Sequence, residues 1–580
     1  MIKYRCEKDK VEVEGSVCPH CKGRAYAFSE NYWCEHCKTV SYYPTCGLCG
    51  NTLEKIFSDG RIVFPQEKLL LEVMIEEQQK KQVSLEKISV WNGTGNIYYA
   101  NGKRLPVSIS QLSKLDISRV KEAYQQKCRE NLCTYEKHFA SEVETFVQAN
   151  HTHFLQIDKD AIDYIKEVGE KFETKDMIIS FSGGKDSTVV ANLVHRALGD
   201  GAEKFLHIFG DTTLEFPTTY EYVKRYKAKH QDPIVSSKNK DKDFFELCKE
   251  IGPPSRVMRW CCTIFKTGAI TRKLEKTSRS KSHVVTFYGI RRSESASRSK
   301  YEKESESPKI AKQTVISPII DWNDFDVWLY LLTRKIDFNE AYRLGYARVG
   351  CFCCPNNSQW SEFLTKIHMP ELYDKFHEIL IEFAKKIGKP DPKEYIDSGN
   401  WKARQGGNGV AMAQKSVISF TPCATEENAF NYQLQKPITQ KFYELFKPFG
   451  TLDFALGNQR LGEVFVLDKN KQPVLKLTGR IGKSELKVTI YNVKLAGAKS
   501  LKVAEEKVKC QITKYQMCMG CLACEGVCRF DAITVKEIQG EVSYTINEKK
   551  CVHCGHCVGH FIAGCYMRKV LAIPRKNQEE

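Results

Sequence analysis

Two kinds of hydrophobic pattern alternate through the middle of the chain. Short apolar runs have the length and composition of buried strands, and stretches with apolar residues three and four positions apart between them are typical of amphipathic helices. This alternation predicts an α/β domain over residues 166–400, with a doubly wound, mostly parallel sheet. The predicted strands lie near Ile178, Leu206, Ile234, Val285 and Val315.

Residues 51–165 follow a different pattern. Asn92-Gly93 and Asn101-Gly102 flank Ile97-Tyr98-Tyr99, which is typical of a β-hairpin. Amphipathic helices are predicted over 117–150 and 160–173. No motif here indicates a chemical function, so a connecting module is favoured over a substrate-recognition module.

Residues 401–505 are predicted to form a β-rich module. A helix predicted from about Pro370 to Ile387 precedes it. Apolar runs at Val464–Leu467 and Leu486–Tyr491 lie among turn-forming residues. No function is predicted for this module.

Composition narrows the class of protein. A chain of 580 residues is too long for one hydrophobic core, so several domains are expected. No apolar run is long enough to span a bilayer and no signal peptide is evident, which predicts a cytoplasmic protein. The formal net charge of +17 suits anionic ligands, either nucleotides or nucleic acid. The 25 cysteines, mostly in C-x2-C pairs near the two ends, indicate metal sites rather than disulfides in a reducing compartment.

A glycine-rich turn stands between the strand near Ile178 and the helix that follows it. Two glycines allow a tight turn with exposed N–H groups, and the first turn of a helix attracts phosphate. The spacing is not that of a Walker loop, and a turn without a ligand is the alternative. The residues are Ser182, Gly183, Gly184, Lys185, Asp186 and Ser187.

This turn resembles the PP-loop, SGGxDS, of the Rossmann-like ATP pyrophosphatases and phosphoadenosine phosphosulfate (PAPS) reductases. Three later segments resemble the PAPS reductase patterns DTGxxFP, GxRxxESxxR and PxxxWxxxDVW, in the same order. These segments are Asp211–Pro217, Gly289–Arg298 and Pro318–Trp328. The resemblance implies that the PP-loop residues bind an adenine nucleotide together with Asp211, Glu294 and Ser295. It also implies that Lys185, Arg291 and Arg298 hold the phosphosulfate.

A further set of cysteines resembles the cluster ligands of the iron–sulfur branch of this family, as does the segment Asn339–Gly350. The resemblance implies one [4Fe–4S] cluster, with Lys266 tuning its potential. Zinc and buried free thiols are the alternatives, and Cys353 could replace one ligand. The implied ligands are Cys261, Cys262, Cys351 and Cys354.

Residues 1–50 resemble a zinc ribbon. Pairs of cysteines two residues apart can each hold one side of a tetrahedral zinc ion. One expected set combines Cys18, Cys21, Cys34 and Cys37. Cys46 and Cys49 then need Cys6 and a fourth ligand, either Asp9, His20 or His36, unless the pairs interleave.

Residues 506–580 resemble a bacterial ferredoxin-like α+β domain with two [4Fe–4S] clusters. In that family three cysteines of one run join the last cysteine of the other. The last gap is longer than usual, so Cys510 is an alternative to Cys565. One implied set is Cys518, Cys521, Cys524 and Cys565, and the other is Cys528, Cys551, Cys554 and Cys557.

Together these resemblances imply an oxidoreductase of sulfur metabolism that reduces PAPS or adenosine phosphosulfate (APS) to sulfite. The ferredoxin-like domain would relay electrons from a low-potential donor. However, the sequence lacks the family's ECGxH segment with its nucleophilic cysteine, and the intact SGGKDS is the form that binds ATP. The alternatives are therefore an ATP-dependent sulfurtransferase, possibly using Mg, that acts on tRNA or DNA, and a non-catalytic nucleotide sensor.

Overall fold

The computed structural model describes residues 3–567 apart from several gaps. The gaps are 7–8, 10, 14–17, 24, 200–204, 231, 239–242, 268–283, 296–297, 307–312, 404–417, 539–540, 560–564 and 566. Ala296 and Ser297 of the predicted arginine-bearing segment therefore lie outside the described residues.

Strands occur in every part of the described chain. They are β1 (Lys3–Cys6), β2 (Glu12–Val13), β3 (Ala25–Phe28), β4 (Asn31–Cys34), β5 (Thr39–Ser41), β6 (Glu54–Phe57), β7 (Gly60–Ile62), β8 (Val90–Gly93), β9 (Ile97–Ala100), β10 (Lys103–Arg104), β11 (Met177–Phe181), β12 (Leu206–Asp211), β13 (Ile234–Lys238), β14 (Val284–Phe287), β15 (Glu304–Glu306), β16 (Gln313–Ile316), β17 (Ser419–Pro422), β18 (Ala429–Gln433), β19 (Thr451–Asp453), β20 (Glu463–Leu467), β21 (Pro473–Thr478), β22 (Glu485–Ile490), β23 (Ile533–Ile538) and β24 (Glu541–Ile546).

Helices are concentrated before, within and just after the central domain. They are α1 (Pro65–Gln79), α2 (Ile117–Ala149), α3 (His151–Lys171), α4 (Lys185–Leu198), α5 (Pro217–Lys229), α6 (Phe244–Ile251), α7 (Asp324–Thr333), α8 (Gln359–His368), α9 (Pro370–Lys386), α10 (Pro392–Asp397), α11 (Gln440–Glu444), α12 (Leu501–Met517), α13 (Ala523–Val527) and α14 (His556–Gly559). No helix among the described residues is long and apolar enough to cross a bilayer.

The central domain has the predicted doubly wound sheet. Its strand order is β13-β12-β11-β14-β16-β15, and all neighbours are parallel except β15 and β16. All five predicted strands are present. The chain adds β12 and β13 on one side of β11, then crosses to add β14 and β16 on the other. The carboxyl ends of β11 and β14 therefore border the switch point, where such sheets bind ligands.

The predicted hairpin is part of a four-stranded sheet, β10-β9-β8-β7. Asn101 and Gly102 have φ values of 44° and 80°, as a two-residue turn between β9 and β10 requires. The second predicted helix begins at His151 rather than at 160. It starts earlier because Phe154 extends the buried face formed by Ala161 and Ile165.

Two small antiparallel sheets, β2-β1-β3 and β5-β4-β6, carry Cys6 at the end of β1 and Cys34 at the end of β4, and the other N-terminal cysteines lie in or beside turns. β6 pairs with β4, so this module continues past the boundary predicted at residue 50.

The predicted β-rich module is a six-stranded antiparallel sheet, β17-β18-β22-β21-β20-β19. α12 packs beside it and leads directly into Cys518. The Tyr432 hydroxyl on β18 donates to Glu505 on α12 at 2.9 Å. This hydrogen bond joins the sheet to the helix that precedes the C-terminal cysteines.

Candidate functional site

The glycine-rich turn joins the carboxyl end of β11 to α4. Gly183 has a φ of 70°, and a Cβ at this position would lie 2.9 Å from Thr219 Cγ2, so only glycine fits. The Ser187 hydroxyl accepts from the Ser182 amide at 3.1 Å and donates to the Gly184 carbonyl at 2.9 Å. The turn is therefore held in shape by its own predicted residues.

Four charged side chains form a buried network beneath the turn. Lys185 Nζ lies 3.2 Å from Asp324 Oδ1 and 3.5 Å from Asp186 Oδ2. Arg291 Nε lies 2.5 Å from Asp186 Oδ1, and its Nη2 lies 2.8 Å from Asp324 Oδ1. Lys185 and Arg291 are each only 4% exposed. Two cations and two carboxylates balance each other here, as buried charges require.

The mutual attraction of these charges favours their ionised forms. Burial opposes the charge on Lys185, but Asp186 and Asp324 more than offset it and raise the Lys185 pKa above its ordinary value. Burial likewise opposes the charge on Asp324, yet Lys185 and Arg291 lower its pKa to about 2.

Asp59, from the module with no predicted function, reaches the same network. Its carboxylate accepts from the amides of Asp324 at 3.1 Å and Phe325 at 3.2 Å, at the start of α7. Burial and the neighbouring Asp324 raise the pKa of Asp59 to about 7. No local pattern marks this residue as functional, because Ser58-Asp59-Gly60 has only the pattern of a turn.

The segment between α7 and α8 contacts the turn directly. Asn339 Nδ2 donates to the Gly183 carbonyl at 3.3 Å, and the Lys185 amide donates to the Tyr342 hydroxyl at 3.0 Å. Lys185 Nζ also donates to the Ala347 carbonyl at 3.3 Å. Tyr342 lies in the predicted segment Asn339–Gly350, but its part in the turn was not foreseen.

The loop after β12 is the second wall of the site. Asp211 Oδ1 accepts from the Thr213 amide at 2.8 Å and from the Tyr220 hydroxyl at 2.9 Å. Thr212 Oγ1 donates to Glu215 at 2.8 Å and lies 3.4 Å from Cys351 Sγ. This loop therefore contacts the predicted cysteine set directly.

The predicted arginine-bearing segment follows β14. The Arg291 amide donates to Glu294 Oε2 at 3.0 Å, and Arg298 forms an ion pair with the same carboxylate. The Ser295 hydroxyl accepts from the Arg298 amide at 3.3 Å. Both arginines are thus paired with carboxylates of the chain, and their role in holding phosphosulfate stays a prediction.

The cysteines of the central domain lie near one another. Interaction with Cys262 and burial raise the pKa of Cys261, and Cys351 adds to the shift. Burial raises the pKa of Cys354. Cys262 raises this pKa further, and a nearby arginine lowers it. Cys353 is only 5% exposed, and its pKa is raised by burial and then by Cys351 and the core thiol of Cys248. Cys353 also acts on Cys261, so both Cys353 and Cys354 lie near the other cysteines and either can be the fourth member.

Lys266 lies beside this set. Desolvation opposes its charge, but Glu215, Cys351 and Cys262 raise the Lys266 pKa above its ordinary value. A lasting positive charge next to several thiols favours their ionised, metal-binding form.

The N-terminal cysteines fall into two groups that differ from the expected one. Cys18 and Cys21 join Cys6 and Asp9, whereas Cys34 and Cys37 join Cys46 and Cys49. The expected set of Cys18, Cys21, Cys34 and Cys37 is therefore wrong, because the first pair lies beside Cys6 of β1 and the second pair begins at Cys34 of β4, in a different small sheet. His20 and His36 belong to neither group.

Sulfur spacing in these two groups suits one ion each. Cys6 and Cys21 Sγ are 3.4 Å apart, Cys34 and Cys49 Sγ are 3.5 Å apart, and Cys37 and Cys46 Sγ are 3.9 Å apart. Sulfurs held about 2.3 Å from a tetrahedral zinc ion would be separated by about 3.8 Å.

In the C-terminal part, the cysteines associate across the two runs. Cys528, Cys551, Cys554 and Cys557 line one mostly apolar cavity, together with Phe530, Ile533 and Ile546. Burial and then Cys565 raise the pKa of Cys518 to about 12, and Cys565 acts in the same direction on Cys521. Cys565 therefore lies near Cys518 and Cys521, and its place in their ligand set stays a prediction. All-thiolate sets of this kind suit zinc or iron–sulfur clusters.

Comparison with protein families gives one domain match. Residues 176–357 match the phosphoadenosine phosphosulfate reductase domain. The matched range contains the PP-loop, the Asp211 loop, both arginines and the four implied cysteine ligands of the central domain.

Among individual proteins, the chain is 33% identical over 256 residues to the uncharacterized protein MJ0066 of Methanocaldococcus jannaschii. That match covers 44% of this chain and 51% of the relative, so the chain spans about half the length of that protein. Adenosine 5'-phosphosulfate reductase 1 of Bacillus subtilis is 26% identical over 190 residues, 32% of this chain and 77% of that enzyme.

Among solved structures, the PAPS reductase of Candida auris in a phosphate complex has a TM-score of 0.25 at 16% identity. It covers 33% of this chain and 93% of that chain.

Proposed function

We propose that the chain reduces an adenylylated sulfate, either APS or PAPS, to sulfite, because residues 176–357 match the phosphoadenosine phosphosulfate reductase domain. The observation that best supports this is the contact between the loop after β12 and the cysteine set. Thr212 Oγ1 lies 3.4 Å from Cys351 Sγ, so a nucleotide bound at the switch point would lie beside these thiols.

The reaction breaks the bond between the sulfate sulfur and the bridging oxygen of the phosphate. Two electrons go to sulfur, sulfite leaves, and the bridging oxygen stays on the adenosine phosphate. Cys261, Cys262, Cys351 and Cys354 would hold a [4Fe–4S] cluster, which supplies electrons one at a time.

The PP-loop binds and orients the anion. The first turn of α4 presents amides and a partial positive charge to a phosphate. Lys185 already has two carboxylate partners, so it offsets their charge as much as it attracts the ligand. The Tyr342 hydroxyl already accepts the hydrogen bond of the Lys185 amide, so a phosphate that binds this amide has to displace the hydroxyl.

The two C-terminal cysteine sets would hold the clusters that receive electrons from a low-potential donor. Lys514, 1% exposed, donates to the Cys557 carbonyl at 2.9 Å. Desolvation opposes its charge, but Cys524 and then Cys557 raise the Lys514 pKa. A buried cation here offsets negative charge on thiolates of both sets. The two N-terminal groups would each hold a structural zinc ion.

An anaerobic substrate screen tests the proposal. Full-length chain, purified and reconstituted without oxygen, is given APS, PAPS or ATP with a low-potential donor. Sulfite release from APS or PAPS that depends on the donor is expected. Absence of sulfite from both, with iron fully incorporated, would overturn the proposal.

One observation favours a second candidate, an ATP-dependent sulfurtransferase. The sequence keeps SGGKDS intact and lacks an ECGxH segment. In the same screen, pyrophosphate release from ATP that is stimulated by tRNA or DNA would identify this activity. Binding of adenine nucleotides without turnover would instead indicate a sensor.

A further inference from the structure

A second group of metal-ligand-type side chains lies at the edge of the central sheet where the strands begin. This edge is opposite the one that carries the PP-loop. It consists of His195 near the end of α4, His207 near the start of β12, and Asp232 just before β13. One ring nitrogen or carboxylate oxygen from each lies within 4.8 Å of the other two. The proposed reductase has no use for this group, and no sequence motif marks it.

Hydrogen bonding fixes which nitrogen of His207 faces the group. His207 Nδ1 lies 3.1 Å from the Phe205 carbonyl, which can only accept a hydrogen bond, so Nδ1 carries the proton. Nε2 is then the nitrogen with the lone pair. The side chain is fully buried, and Nε2 has no hydrogen-bond partner among the described residues. A buried polar atom left in this way is costly unless something binds it.

His195 likewise has a buried ring nitrogen without a hydrogen bond in the described part of the protein, and this nitrogen lies near Asp232. Its Nε2 lies 3.3 Å from Asp232 Oδ2, yet it makes no hydrogen bond within the described chain. The two side chains are 23% and 13% exposed, whereas His207 is fully buried. Ligands about 2.0–2.2 Å from a tetrahedral zinc ion are separated by about 3.3–3.6 Å, which matches the spacing of His195 and Asp232.

The geometry points to a divalent transition-metal site formed by His195, His207 and Asp232, with zinc as the ion that fits best. Two imidazoles with one carboxylate suit zinc rather than magnesium or calcium, which prefer oxygen ligands. Histidines that bind metal usually donate their other ring nitrogen to a carbonyl or carboxylate, as His207 does to Phe205. Three protein ligands leave one position for water.

The site would connect the end of the PP-loop helix to the starts of two strands. α4 carries Lys185 at its first position and His195 near its last, so a metal here anchors the helix that presents the phosphate-binding turn. This inference does not depend on which substrate the PP-loop binds.

Metal content tests the inference in the full chain. Zinc and iron are measured by mass spectrometry in the wild type, in Asp232→Asn and in His207→Gln, after zinc loading and removal of excess ion. Both variants should hold one zinc fewer than the wild type and the same iron. His230→Gln is the control, because His230 is a neighbour of His195 outside the group and should leave the zinc content unchanged.

Zinc affinity provides a second measurement if His207→Gln folds poorly. Wild type stripped with a chelator and titrated with zinc alone should take up one ion that Asp232→Asn binds at least about tenfold more weakly. The thermal midpoint of the wild type should rise with that ion. Equal zinc content and equal titrations in the wild type and Asp232→Asn would overturn the site.

Discussion

Lys185 is the residue with the most connections at the predicted phosphate site. It pairs with Asp186 and Asp324, donates to the Ala347 carbonyl, and begins α4. Lys185→Ala would leave two buried carboxylates with Arg291 as their remaining cation in this network, which weakens anion binding. We expect turnover to fall by at least about 10²-fold, because a carboxylate charge left without its lysine partner repels the anion, and one unit charge at about 4 Å near a protein surface is worth about 4 kcal/mol.

Iron content should stay unchanged in Lys185→Ala, since no cysteine is altered. Lys166→Ala, on an exposed position of α3, is the matched control and should retain turnover. Full activity in Lys185→Ala would exclude the PP-loop lysine from the site.

Asp59 gives the network a dependence on pH. Its folded-state pKa of about 7 lies above the ordinary value of an aspartate, because of burial and Asp324. The folded protein therefore holds this proton more tightly than the unfolded chain does. Stability from this group is present at low pH and is lost as the pH rises toward and through about 7.

Asp59→Asn should flatten the decline of the melting temperature between about pH 5 and pH 7, since asparagine does not ionise. Asp163→Asn, at an exposed position of α3, should leave the decline as it is in the wild type. Identical pH profiles for Asp59→Asn and the wild type would show that this carboxyl does not carry the proton.

At the scale of these residues, the sequence predicted the site only in part. The PP-loop was predicted because glycine, lysine and serine stand at fixed spacing between a strand and a helix. Asp324 and Tyr342 lie inside segments the sequence singled out, although neither side chain was identified. Asp59 could not be predicted, since its role depends on β7 pairing beside α7 rather than on a local pattern.

Among the elements, the segment between α7 and α8 connects the parts of the site. It reaches the PP-loop through Asn339, Tyr342 and Ala347, and it continues directly to Cys351 beside Thr212. Movement of the turn on nucleotide binding would therefore also move the backbone that carries Cys351.

Tyr342→Phe tests this connection. Without the hydroxyl, the Lys185 amide is left unpaired in the free protein, and leaving a buried donor unpaired costs about 1–3 kcal/mol. A phosphate that pairs with this amide removes that cost, so calorimetry should show tighter nucleotide binding by up to about tenfold.

The stability of the free Tyr342→Phe protein should fall at the same time. Tyr373→Phe on α9, outside the site, is the control and should change neither quantity. Unchanged nucleotide affinity in Tyr342→Phe would mean that the ligand does not use the Lys185 amide.

The elements also show what periodicity can and cannot predict. The parallel strands are short apolar runs and α9 has an amphipathic period, and the structure confirms both. The expected pairing of the N-terminal cysteines was wrong, because spacing in sequence does not reveal that Cys18 lies beside Cys6 rather than beside Cys34. α1 was not predicted, since it is buried on nearly all sides and has no amphipathic pattern.

For the whole molecule, the central question is how the C-terminal cysteine sets serve the central domain. If they relay electrons, Cys557→Ser should lose part of the iron and most donor-dependent sulfite release. Binding of APS or PAPS should remain as in the wild type, because the PP-loop is untouched. Cys133→Ser, an isolated exposed thiol on α2, is the control. Full sulfite release in Cys557→Ser, despite lost iron, would separate these cysteines from the reaction.

The order of modules could be predicted from composition and cysteine spacing, but contacts between modules could not. Two residues of the second module illustrate this. Asp59 accepts from the amides at the start of α7. Arg61 donates to Glu67 at 2.7 Å and to the Gly345 carbonyl at 3.3 Å. The module predicted to be a connector thereby supports the back of the candidate site.

The most direct test of the central claim is a Mössbauer spectrum of the iron-reconstituted full chain, recorded without oxygen before and after addition of APS or PAPS. The account predicts that the nucleotide changes the signal of one cluster, about a third of the iron, and that Cys351→Ser lacks both this signal and the change. A wild-type spectrum that is identical with and without saturating nucleotide would contradict a thiol-held cluster beside the nucleotide.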